Sequence, residues 1–149
     1  MIKIKVLNAI EAIILSVATL ILLFSPLQLY TLDSFPGVMR FTELYSALPS
    51  LGIITLGLVI CNIIMCLLSI FKKTNEKDSL LHGFLPIISL ISVWIFINIG
   101  SMNVHDSFVN IDYVKTPSAS ILYVLIFISS IIGFAKRSNH FVNPTEKFD

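Results

Sequence analysis

Asn8, Glu11, Asn62 and Asn98 set strongly polar side chains inside or beside the long apolar stretches of this 149-residue chain and are its candidate substrate- or ion-linked residues. Glu11 is the most demanding of them. It lies six residues beyond Lys5, about 9 Å further along a helix axis, and an ionisable group at that depth in hydrocarbon is costly unless it faces a bundle interior with a partner. Two roles follow. Glu11 pairs at the interface with Lys72 or Lys73 from the end of the second apolar stretch, or it lies deeper and forms with Asn8 a proton- or cation-linked site. Asn62 and Asn98 each carry an amide that must find hydrogen bonds in an apolar surround, and a clamp to a neighbouring helix satisfies it.

Other chemistry is poorly supported. Cys61 and Cys66, five residues apart, are rotated by about 140° on a helix and share no face, so they read as small buried hydrophobes. His82 and His140 have no ligand-type neighbour at metal spacing, and neither a metal nor a cofactor is expected. The chain has no H-E-x-x-H, G-x-S-x-G or Walker sequence, and no acidic cluster within an apolar stretch; the reading is therefore not an enzyme.

The elements that must position these residues are set by the distribution of charge. Hydrophobic residues make up 56% and charged residues 13% of the chain, against about 25% charged in an ordinary soluble domain. Residues 12–32, 44–71, 79–105 and 116–135 contain no Asp, Glu, Lys or Arg, and about 20 apolar residues in a helix span a hydrocarbon core. The expected fold is all-α: a single four-helix transmembrane bundle over 1–149. Its helices are placed near 7–29, 50–71, 84–101 and 119–135, with a cytoplasmic loop 72–83 and a flexible tail 138–149. Pro26 is expected to bend the outer end of the first helix, and Pro86 to sit in the first turn of the third. Trp94, mid-helix, is expected between helices, while the helical serines bond back to their own backbones.

Lys3, Lys5, Lys72, Lys73, Lys77, Lys136, Arg137 and Lys147 fall on one side of this topology and only Arg40 and Lys115 on the other, which puts both termini in the cytoplasm of a cell-membrane protein. The two outer loops should form a small extracytoplasmic cap. Pro36-Gly37 reads as a turn, Val38 to Leu48 as a short surface helix, and SFVNIDYV as a strand of about six residues needing a partner such as the first outer loop. Phe41, Tyr45, His105, Asp106, Asp112 and Tyr113 are the candidate contact residues of that cap. Asp33, Glu43, Asp106 and Asp112 against Arg40 and Lys115 leave it acidic, too scattered for a metal.

The expected partners are the lipid bilayer and another membrane protein or further copies of this chain; a net charge of +1 gives nucleic acid no hold. Two functional expectations result. The first is a non-enzymatic accessory, regulatory or self-protection protein that binds another membrane protein or an extracellular peptide. The second is a small oligomeric transporter or channel with Glu11 as its ion- or proton-linked residue.

Overall fold

The computed structural model describes the backbone of residues 4–32, 35–71, 76–104 and 111–142, with the side chains of 32, 35, 76–80 and 137–142 outside the description. Its elements run α1 (Ile4–Phe24), β1 (Gln28–Leu32), β2 (Phe35–Met39), α2 (Phe41–Ala47), α3 (Pro49–Phe71), α4 (Glu76–Val104), β3 (Asp112–Lys115) and α5 (Pro117–Val142). Four of these helices are long and apolar enough to cross a membrane, as the charge-free stretches require. The expected His105 and Asp106, residues 107–110 of the expected strand, residues 33–34, residues 72–75 of the expected cytoplasmic loop and residues 143–149 of the tail lie outside the described residues.

α1 packs against α3 and α5, and α4 packs against the same two, which gives the bundle a square section with α1 diagonal to α4. The burial pattern explains this geometry. α1 buries Asn8, Glu11, Leu15, Ala18 and Leu22; α3 buries Gly52, Thr55, Val59, Asn62, Cys66 and Ser69. α4 repeats the step with Gly83, Pro86, Ser89, Val93, Phe96 and Gly100, and α5 with Ala119, Leu122, Ile126, Ser129, Gly133 and Lys136. Every interval is three or four, the seam of a left-handed bundle in which ridges interlock at a shallow crossing angle. Outside the seam, Leu20, Ile53, Ile91, Ile121 and Phe127 are among many large apolar residues left exposed, as a lipid-facing surface requires.

α1 stops five residues earlier than expected. The Ser25 amide still donates to the Ile21 carbonyl at 3.0 Å, but Pro26 has no N–H to continue the ladder, and the chain turns into β1. The sheet has the order β2-β1-β3, all antiparallel. β3 overlaps the expected strand only from Asp112 and Tyr113 onward, since residues 107–110 lie outside the described residues. Its partner β1 is made largely of Gln28, Leu29 and Tyr30, at the expected end of the first helix, with only Thr31 of the paired residues from the expected first outer loop. Pro36-Gly37 lies within β2 rather than at a turn: β2 is an edge strand, where a missing donor is tolerated, and Gly37 faces the Tyr30 ring so closely that a Cβ would overlap it. The surface helix shrinks to α2, because Val38 and Met39 belong to β2.

Thr116 ties the two ends of this cap together. Its hydroxyl donates to the Pro26 carbonyl at 2.6 Å and accepts from the Ala119 amide at 3.1 Å, an N-cap with Pro117 pre-set for the first helical position. At the other pole, α4 begins at Glu76, eight residues before its expected start, so Pro86 is interior to the helix. Trp94 is half exposed and faces outward, correcting its expected place between helices.

Candidate functional site

Apolar and polar side chains are segregated along the bundle axis. Ala18, Leu22, Val59, Val93, Phe96, Ala119, Leu122 and Ile126 form one continuous core toward the sheet. Toward the opposite pole, where the described termini lie, the same seams turn polar.

Glu11 is the centre of that polar end. It is 1% exposed, and its Oε2 accepts from the Lys136 ammonium while its Oε1 accepts from the Ser129 hydroxyl at 3.0 Å. Lys136 also donates to Asn8 Oδ1 at 2.7 Å. The spacing makes this possible: Asn8 and Glu11 are three apart on α1, and Ser129 and Lys136 seven apart on α5, so each pair shares a helix face. Glu11 thus faces the interior of the bundle with a partner from α5; Lys72 and Lys73, its other expected partners, lie outside the described residues.

α3 and α4 complete the group. Ser69 and the His82 Nε2 lie 2.8 Å apart in hydrogen-bond contact. The ligand atoms of Glu11, Cys66 and His82 all fall within 4.8 Å of one another, and all three residues are buried. His82 thus has the ligand-type neighbours that sequence spacing denied it, because they come from other helices. Gly133 allows the approach: a Cβ there would overlap the His82 carbonyl. That carbonyl cannot receive the usual i+4 bond, since residue 86 is proline.

Further along the α3–α4 seam, Thr55 and Ser92 hydroxyls meet at 2.7 Å, and the Asn62 amide donates to Ser89 Oγ at 2.6 Å. Asn62 is the interhelical clamp its sequence position suggested. Asn98 is not: it is half-buried and its amide donates at 2.7 Å to the carbonyl of Trp94 on its own helix. Ser16, Thr19 and Ser89 do bond back to their own turns, but Ser89 also accepts from Asn62, and Ser92 and Ser129 make contacts across helices, which the expectation of local bonding missed. A signal was present in the sequence for Ser89 and Ser129, which fall on the three-four seam, while Ser92 lies beside its seam residue Val93.

The cap residues are spread over different roles. Phe41 is buried, with its ring 5.3 Å from Phe96 and 5.8 Å from Tyr45, and Tyr113 turns inward to donate to the Ser101 carbonyl at 3.0 Å. Tyr45 and Asp112 remain exposed. An apolar row was missed altogether: Val38, Leu29 and Val114 stand opposite one another across all three strands, and they are 45%, 40% and 59% exposed. Their neighbours in register alternate to the bundle-facing side, where Gln28 and Met39 are buried.

The four long apolar helices fit a multi-pass membrane protein. No protein family and no curated protein matches the chain, so function is read from this geometry.

Proposed function

We propose that the protein is a non-enzymatic multi-pass protein of the cell membrane that acts by binding another membrane protein or an extracytoplasmic peptide, as an accessory, regulatory or self-protection subunit. The observation that carries this reading is the Val38–Leu29–Val114 row, three apolar side chains aligned on the outward face of a sheet that lies beyond the spanning helices. Apolar side chains held side by side in water form a surface suited to a partner. The polar residues of the bundle support the same reading, since Thr55–Ser92, Asn62–Ser89, Ser69–His82 and Glu11–Lys136 close on one another rather than lining a passage. The basic residues at 3, 5, 72, 73, 77, 137 and 147 favour cytoplasmic termini, which sets the sheet outside.

Chemical crosslinking in native membranes followed by mild-detergent purification and mass determination tests it. Wild type should bring down a stoichiometric protein, and Leu29→Asp or Val114→Asp should lose it while keeping the same helix content. Recovery of the wild-type chain alone, with or without crosslinking, counts against the proposal.

One observation favours a second reading, a small oligomeric transporter or channel. Glu11 is enclosed between helices with Lys136 and Asn8, an arrangement in which an incoming cation competes for a buried carboxylate. Solute flux in proteoliposomes that disappears with Glu11→Gln would support it, and equal flux would remove it.

A further inference from the structure

We infer that Glu11, Cys66 and His82 form a binding site for one divalent zinc-like cation, with the Lys136 ammonium holding the cation position when the metal is absent. The inference goes beyond the partner-binding role and does not depend on it.

The three side chains come from α1, α3 and α4, and they supply one carboxylate oxygen, one sulfur and one imidazole nitrogen. That mixed set suits zinc, which takes Asp or Glu oxygen, His nitrogen and Cys sulfur at tetrahedral positions. Ligand atoms on such a tetrahedron stand about 3.3–3.6 Å apart at ordinary zinc bond lengths. The present limit of 4.8 Å therefore asks for a contraction of at most about 1.2–1.5 Å at the widest pair, within the reach of side-chain rotation. Three protein ligands leave a fourth position for water or a further ligand, and the Ser69 hydroxyl, in hydrogen-bond contact with the His82 ring, orients that imidazole.

Charge balance explains the place of Lys136. Without metal, a carboxylate and an ammonium neutralise each other beside a neutral thiol. With metal, the Cys66 thiol releases its proton to solvent, and the two anions, carboxylate and thiolate, neutralise the 2+ ion. The Lys136 ammonium is then displaced from Glu11, and its long flexible stem allows the head group to swing away from the metal. Asn8 marks the same exchange: it is 1% exposed, its Oδ1 is held by the ammonium, and its Nδ2 has no partner among the described residues. It is a buried amide only half used by the Lys136-occupied state.

Cobalt is the probe, because thiolate ligation gives a charge-transfer absorption in the near ultraviolet. The full chain, purified in mild detergent and stripped with a chelator, should take up one cobalt ion with that absorption and release it to zinc. Cys66→Ser should abolish the absorption, and His82→Gln should weaken binding by at least about tenfold. Cys61→Ser should leave both unchanged, since Cys61 is exposed and lies outside the buried seam that holds Cys66. Lys136→Met should bind metal more tightly and regain thermal stability when zinc is added. If the ligand variants do not fold, the Cys61→Ser protein still decides the matter: zinc should slow alkylation of Cys66 by at least about tenfold. Absence of stoichiometric cobalt uptake, absorption that survives Cys66→Ser, or a Cys66 alkylation rate indifferent to zinc each overturns the inference.

Discussion

A carboxylate and an ammonium buried together hold each other in place, because either one alone would be an uncompensated charge in a low-dielectric interior. Glu11 and Lys136 also receive help from Ser129 and Asn8, so the group is nearly closed. Removing one member should therefore cost more than removing both. Glu11→Gln or Lys136→Met alone should lower stability by about 3–5 kcal/mol, and the double variant by less than the sum. Denaturant titration in mixed micelles measures the coupling, and strictly additive losses would contradict it. A second carboxylate, Glu43 in the cap, behaves differently. Partial burial acts to raise its pKa, but hydrogen bonds from the Arg40 and Glu43 amides and the Thr42 hydroxyl, with the Arg40 charge, hold it below the usual carboxylate value. A lowered folded pKa means that Glu43 stabilises α2 at pH above its unfolded value and ceases to do so as pH falls through the folded one. Its carboxyl resonance should titrate with a midpoint below 4.5, and a midpoint at or above that value refutes the argument.

At the scale of elements, helix association in lipid lacks the hydrophobic drive available in water and rests on close packing and interhelical hydrogen bonds. The three-four seams supply the packing, and small residues mark where backbones approach most closely. Gly133 against the His82 carbonyl is the tightest such contact between α4 and α5. Gly133→Ala should force the two helices apart, lower stability by about 1–3 kcal/mol, and increase the reactivity of Cys66 as the polar end loosens. An alanine variant with unchanged thermal midpoint and thiol reactivity would show that the contact does not set the spacing. Gly57, with no neighbouring atom within 4 Å of an added Cβ, is the control position and should accept alanine.

Across the whole molecule, the sheet closes one pole and the Glu11 cluster the other, with an apolar core between them. Seven basic residues near the termini and the α3–α4 connection favour that pole facing the cytoplasm. In a Cys61→Ser background, cysteine placed at Val38 should react with an impermeant reagent added outside intact cells, and cysteine at Lys147 only after the membrane is opened. The reverse pattern would invert the topology.

Four long apolar helices were legible in the sequence alone, because long charge-free runs report an apolar surround directly, and so was the interior clamp at Asn62. Of the cap, alternation located a strand only from Asp112 and Tyr113 onward, while its partner came largely from the expected end of the first helix. The sequence also held the three-four spacing of Ser89 and Ser129, with Ser92 beside its seam, but their partners are other helices, and no local pattern names a partner. Helix ends proved less legible: Pro26 stopped α1 rather than bending it, while α4 ran through Pro86, because in each case the neighbouring element decided whether the lost backbone bond could be tolerated. Only the tertiary structure brought Glu11, Cys66, His82 and Lys136 into one cluster. They are separated by up to 125 positions and contributed by four different helices, and their meeting depends on bundle order and on the absence of a side chain at Gly133.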